Sequence, residues 1–332
     1  LFPYTTLFRS FNFRCLRQFG RSICAQDKEL KRELERVWQS KCVPLHPKNN
    51  EWWEICKQNF KEIIISYSRR ISNETKQRLL ELENQVRVLR QLNQCNPGLY
   101  TEQLAFVERE INEMLSQRMN GAKIRSKVKG LEFDEKPSRF FLGKEKSRGK
   151  QKCIKQLNVQ GNIITDPEQI VASARQYYKE LYTESPVDTD LIDYFVQDVP
   201  TLTEEERILC EGPITSQECV HAIKQMKNFK SPGTDGLPKE FYDEFWYLFG
   251  NHFVSLMNNC YNCGTLTPSQ RGGLISLICK DTSKADYLNF WRPISLLNVD
   301  YKIVSKVMSN RLRRVLPFII HEDQSSSVPG RS

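Results

Sequence analysis

Pro268 to Lys280 reads PSQRGGLISLICK, and Asn289 to Pro317 reads NFWRPISLLNVDYKIVSKVMSNRLRRVLP. Leu274 to Cys279 is a short apolar run between Gly272-Gly273 and Lys280-Asp281, which predicts a buried strand. Trp291 to Leu297 predicts a second strand, and Pro293, lacking an N–H, assigns it to a sheet edge or a strand start. A polar connection joins the two as a hairpin with a long loop. From Asp300 to Leu316 the period changes. Ile303, Val304, Val307, Met308, Leu312, Val315 and Leu316 form one apolar stripe, with Lys302, Lys306, Ser309 and Arg313 on the opposite face. Asn298 or Asp300 is predicted to cap this helix and Pro317 to close it. Strand, strand and basic-backed helix together predict an α+β fold.

Working outward, SPGTDG at Ser231 to Gly236 is a dense turn, with a proline fixing φ and two glycines tolerating positive φ. From Pro238 to Asn259, Phe241, Tyr242, Phe245, Trp246, Phe249 and Phe253 recur at helix spacing, which reads as core. Further upstream, Asp27 to Asn120 is helix-like. Leu79, Leu82, Val86 and Leu89 follow one helical period, and Leu104, Val107, Ile111, Met114 and Leu115 another. Asn96-Pro97-Gly98 breaks the two runs, predicting an antiparallel helical hairpin.

The formal charge of +9 on 332 residues conceals a segregation. Gly121 to Gln160 carries a net +8, and the next sixty residues, to Val220, a net −10. Lys123, Arg125, Lys127, Lys129, Arg139, Lys144, Lys146 and Arg148 lie in the basic block with Phe133, Phe140 and Phe141 among them. That mixture suits a groove tracking a phosphate backbone, and a solvated charged face is an equally good reading of composition alone. The acidic block, with Glu204, Glu205 and Glu206, reads as solvated surface.

The length suggests about two domains. No stretch approaches the roughly 18 to 20 apolar residues of a membrane span, so no membrane partner is expected. Eleven cysteines are too dilute for a disulfide scaffold. Cys260 and Cys263 form a CxxC without a second pair at zinc spacing, so no metal site is assigned to them. Asp235, Asp281 and Asp300 read as turn-forming or capping residues rather than metal ligands. Leu1 to Ser10, LFPYTTLFRS, matches the translation of a common sequencing adapter and is set aside from fold reasoning.

SPGTDGLPKEFY (Ser231 to Tyr242), PSQRGGLISLICK, the Asn289 to Pro317 run, and then HEDQ and VPGR (His321 to Gln324, Val328 to Arg331) resemble, in order and spacing, the start of the reverse transcriptase of LINE-class non-LTR retrotransposons. Upstream, EWWEICKQ with IISYS (Glu51 to Ser68), AKIRSKVKGLEFDEKPSRFF (Ala122 to Phe141) and LTEEER with EGPIT (Leu202 to Thr215) resemble the segment between endonuclease and polymerase. The departures are Cys279 where the family commonly has Pro, Gly272 near an expected Arg, and Ser325 to Ser327 in place of a run containing an aromatic.

The resemblance implies a mostly helical α+β chain: a helical linker region followed by the incomplete fingers of a right-hand RNA-directed DNA polymerase, with palm and thumb missing. It divides the chain at 1–10, 11–130 (helical), 131–230 (basic, then acidic, connector) and 231–332 (fingers). Lys280 and Arg292 are implied to face the nucleotide triphosphate, and Ser231, Gly233, Asp235 and Gly236 the template. The family's polymerases hold two Mg2+ ions on aspartates beyond VPGR, and no Asp-Asp dipeptide occurs in this sequence. The fragment is therefore expected to have no catalytic residue and no bound cofactor, and to meet RNA template and DNA primer only within a longer protein. The alternative is a non-catalytic nucleic-acid-binding or helical scaffold protein.

Overall fold

The structure is a computed structural model and describes residues 27–45, 51–126, 154–183, 189–197, 199–321, 323–324 and 328. It is α+β and mostly helical. Leu1 to Ser10 and the VPGR run apart from Val328 lie outside the described residues.

Helix α1 (Lys28–Val37) is capped by the Asp27 carboxylate, which accepts from the Glu29 and Leu30 N–H groups, and it passes into a wider turn at Trp38–Cys42. Helix α2 (Trp52–Cys95) is 44 residues long, about 66 Å at the usual rise. It ends at Asn96, and Gly98, at φ +93°, supplies the left-handed residue that turns the chain into α3 (Thr101–Ser126). The two helices pack through Leu82, Val86 and Val107, with Leu89, Leu104, Ile111 and Met114 around them. Arg78–Glu110 and Arg90–Glu108 ion pairs, at 2.9 and 2.7 Å, flank this seam. Both are exposed and add little.

Across the boundary between the basic and acidic stretches the chain forms a tight hairpin, β1 (Leu157–Val159) with β2 (Asn162–Ile164), and then α4 (Pro167–Leu181). Helices α5 (Thr189–Val196), α6 (Glu204–Ile208) and α7 (Ser216–Gln225) follow. Thr203/Glu206 and Thr215/Glu218 each form a reciprocal cap, satisfying two free N–H groups at the start of α6 and α7. Glu206 and Glu218 are therefore capping groups as well as surface charge.

Helix α8 (Lys239–Asn262) is the centre of the main core. Its Phe241, Phe245, Phe249 and Phe253 are almost fully buried against Leu30, Leu34 and Trp38, against Trp52, Trp53, Phe60 and Ile64 of α2, and against Cys219 and Ile223 of α7. Trp53 lies 5.3 and 5.5 Å from Phe249 and Phe253, and Phe60 lies 5.4 Å from Phe241, distances at which tilted aromatic pairs attract. At the end of α8, Cys260 is buried and Cys263 exposed.

Strands β3 (Gly273–Cys279) and β4 (Trp291–Leu297) pair antiparallel, with Gly273 opposite Leu297 and Cys279 opposite Trp291. Leu277 on one face packs against Leu157, Ile170, Ala174 and Leu288, so β1, β2 and α4 back this hairpin. Tyr178 of α4 donates to the Trp291 carbonyl at 3.2 Å, and the Asn158 N–H to the Asp286 carbonyl at 2.7 Å. Among the described residues no helix is long and apolar enough to cross a membrane.

Helix α9 (Val299–Ile319) departs from its sequence reading in three ways. It continues through Pro317, and beyond the lost Pro317 N–H the Ile320 N–H still donates to the Leu316 carbonyl at 3.0 Å. Its buried row is Val299, Ile303, Val307, Arg311 and Val315, whereas Met308 and Leu312 are exposed. Asn298 occupies the capping position without making the capping bond, because its side chain is engaged elsewhere.

Candidate functional site

The candidate residues that can be placed fall on two features: the open face of the β3–β4 hairpin and the SPGTDG loop. The hairpin has one covered face, with Leu277 and Trp291 turned toward the smaller core. On the other face, Ile278 stands directly opposite Arg292, and Ile278 and Ile294 are 52% and 41% exposed. The ladder runs one step past β3, where the Lys280 N–H donates to the Phe290 carbonyl at 2.8 Å. Lys280, two residues after Ile278, therefore shares the open face with Arg292 as its diagonal neighbour, a separation of about 7–8 Å. Both side chains are exposed, and neither forms an ion pair among the described residues.

The loop behind these cations is well fixed. Asp281 accepts from the Ser283 N–H and hydroxyl, at 3.0 and 2.7 Å. The Trp291 indole donates to the Ala285 carbonyl at 2.8 Å, and the Lys284 ammonium sits 4.8 Å over the Phe290 ring. The two cations therefore stand on one exposed face of a strand pair, Arg with a planar fork of donors and Lys with a compact point charge.

The four loop residues assigned to the template do not share one exposure. Ser231 is exposed and Asp235 half-buried, whereas Gly233 and Gly236 are buried. Gly233 presses on the start of α9 so closely that a Cβ there would stand 2.2 Å from Asn298 Oδ1 and 2.5 Å from its backbone nitrogen. Only glycine permits that approach. Asn298 Oδ1 accepts from the Asp235 N–H and the Thr234 hydroxyl, each at 3.2 Å, and its amide donates to the Ser269 carbonyl at 3.0 Å. The loop's inner side is thus bolted to α9, and its outer side is open.

Beneath the bolt lies a buried polar cluster that the sequence alone did not show. Asp300 Oδ2 accepts from the Trp53 indole at 2.9 Å and from Lys57 at 3.0 Å. Lys57 also contacts the Ser269 hydroxyl and lies 3.3 Å from Glu54. Burial alone would lower the Lys57 ammonium, but Asp300, Asp235 and Glu54 hold it above its ordinary value. Burial, reinforced by the Asp300 carboxylate, pushes Asp235 up to about 7. Its Oδ2 is sealed from solvent without a hydrogen-bond partner among the described residues, as is the Tyr242 hydroxyl.

No group of three or more potential ligands for a metal ion occurs among the described residues. Asp235 and Asp300 are near enough to influence one another, but Lys57 already supplies the positive charge that a metal would bring. This pair does not fit a two-metal centre. The candidate basic block cannot be placed in the same way. Lys123 and Arg125 fall on the last turns of α3, and their side chains, like Lys127, Lys129, Arg139, Lys144, Lys146 and Arg148, lie outside the described residues.

The sequence also gave no warning of Arg311. It is 7% exposed, forks onto Glu218 of α7 at 2.7 and 2.8 Å, and donates to the carbonyls of Gly212 at 2.7 Å and Pro213 at 2.8 Å. Its guanidinium, with the Thr215 N–H and hydroxyl, holds Glu218 down at about 2.

Fold and site together define a mostly helical α+β protein with an aromatic helical core and, on a smaller second core, a β-hairpin that exposes Lys280 and Arg292. No family model matches the chain. It is 34% identical over 288 residues to the Xenopus laevis "Transposon TX1 uncharacterized 149 kDa protein", a match covering 85% of this chain and 22% of that protein. It is 27% identical over 175 residues to the Drosophila melanogaster "Putative 115 kDa protein in type-1 retrotransposable element R1DM", covering 51% of this chain and 15% of that protein. Both relatives are transposable-element proteins, and the chain spans about a fifth of their length or less.

Proposed function

We propose that this chain is a segment of a LINE-class retrotransposon RNA-directed DNA polymerase, in which the β3–β4 hairpin binds nucleotide triphosphate and the outer side of the SPGTDG loop faces template RNA. The observation that carries the reading is the placement of Lys280 and Arg292 as diagonal neighbours on one open, rigid strand face without an acidic partner among the described residues. Similarity to two transposable-element proteins supports the same reading. A solvated pair of charges would need neither a shared face nor a fixed loop behind it. Mg2+ and the aspartates of catalysis would belong to other parts of such a polymerase.

The test is binding. The chain is expected to bind single-stranded RNA with an affinity that falls steeply with salt, as phosphate contacts release counterions. Arg292→Ala or Lys280→Ala is expected to weaken nucleoside triphosphate binding about ten-fold or more, the loss of a charge-assisted hydrogen bond. RNA affinity should change little in either variant. Triphosphate binding unaltered in both, measured by equilibrium dialysis, would remove the hairpin from the site. Primer extension is not expected from the isolated chain.

A further inference from the structure

We propose that Phe229 is a stacking platform for an unpaired nucleobase, with Lys227 and Lys230 taking the neighbouring phosphates of a single-stranded nucleic acid. The inference rests on the reading above that the chain binds RNA, and it assigns to that binding a residue outside both the hairpin and the SPGTDG motif.

Phe229 lies in the short connection between α7 and Ser231, and residues 227–231 are all exposed. Its side chain is 58% exposed and belongs to none of the three apolar clusters, so packing does not account for it. Its backbone is left-handed, at φ +59°. A bulky residue there is strained, and glycine or asparagine would sit more comfortably. The surroundings over-determine this conformation. The Phe229 N–H donates to Glu240 Oε1 at 2.6 Å, and the neighbouring Asn228 side chain accepts from Lys239 at 2.9 Å. The first turn of α8 thus holds an aromatic ring out into solvent at a conformational cost, the kind of strain that concentrates at binding sites.

Charge selects the ligand. Lys227 and Lys230 flank the ring, Lys224 precedes them on α7, and none forms an ion pair among the described residues. Of the nearby acids, Glu240 is turned inward, with Oε1 on the Phe229 N–H and Oε2 buried, and Asp243 is paired with Lys239 at 2.6 Å. One ring is too small an apolar area to dock a protein. A base in a duplex has no free face to offer. An unpaired base does, and aromatic stacking tolerates any base while lysines follow the backbone.

The experiment is fluorescence anisotropy of the 332-residue chain with a labelled single-stranded RNA 12-mer. Phe229→Ala is expected to weaken binding about five- to ten-fold, the loss of one stacked base, and to leave the salt slope unchanged. Lys227→Ala with Lys230→Ala should reduce that slope by about 1.4, or 0.7 per phosphate. Phe229→Gly separates stacking from structure: it should raise the melting temperature by releasing the strained φ, yet bind as weakly as Phe229→Ala. Phe229→Trp should keep wild-type affinity, and the added indole should be quenched by RNA. The native tryptophans Trp38, Trp52, Trp53, Trp246 and Trp291 are all 9% exposed or less. Salt-dependent binding unaffected by Phe229→Ala, or no quenching, would overturn this inference alone. Absence of any RNA binding by the wild-type chain would overturn the functional reading beneath it as well.

Discussion

Arg311→Met is expected to lower the unfolding free energy by about 3–5 kcal/mol, the usual loss when one partner of a buried ion pair is removed. Arg311 is the clasp between α9 and α7: it forks onto Glu218 and also satisfies the carbonyls of Gly212 and Pro213. Methionine fills the space of the stem and meets none of those acceptors. The pH dependence identifies the cause. Glu218 is held at about 2 in the folded chain against 4.5 ordinarily, so the pair stabilises fully above about pH 4.5 and progressively less toward pH 2. Over that window the difference is worth about 3 kcal/mol. The Arg311→Met variant should lose the larger part of this acid-induced drop, with only the Thr215 bonds still holding Glu218 down, leaving a smaller gap from wild type at pH 3 than at pH 7 in urea titrations. A constant gap would assign the effect to packing.

Lys57→Met should have a comparable effect, and its deficit should also shrink on acidification, but in a higher pH window. It removes the cation that neutralises Asp300 and lies near Asp235, leaving buried carboxylates to be protonated or to stay charged at a cost of about 3–5 kcal/mol. Carboxylates whose folded pKa is raised leave stability intact below their unfolded value near 3.8 and reduce it as pH rises. The deficit of Lys57→Met should therefore be largest near pH 8 and shrink toward pH 4. Adding Asp300→Asn should restore part of the loss at pH 8, because the amide still accepts from the Trp53 indole and carries no charge. Equal deficits at pH 4 and pH 8, measured by thermal melts, would show that no buried charge had been uncovered.

These two residues also mark the limit of what could be read from the sequence. The α8 aromatics announced themselves, because four phenylalanines one helical turn apart have no other economical placement. The β3–β4 hairpin was equally plain as two apolar runs with a polar loop between them, but a loop of that length leaves the register open. Arg311 was invisible for a physical reason. It sits third in the row Ile303, Val307, Arg311 and Val315, and a charged residue in such a row reads as the edge of the stripe unless a partner is known. That partner, Glu218, lies 93 residues earlier and was itself disguised within an acidic run. The Trp53, Lys57 and Asp300 cluster joins positions more than 240 residues apart, a closure that periodicity cannot express. Of the candidate site, Lys280 and Arg292 were named from resemblance, but their sharing a face needed the register. Asp235 and the two glycines were named as loop residues without any sign that the loop's inner side is held against Asn298.

Helix α2 belongs to two cores at once. Trp52 to Ile64 is embedded in the aromatic cluster, Leu82 and Val86 lie in the separate α2–α3 seam, and most positions from Ser72 to Glu81 between them face solvent. One continuous helix of 44 residues thus ties the α2–α3 seam at its far end to the Trp53, Lys57 and Asp300 network at its root, beside which the SPGTDG loop is seated on Asn298.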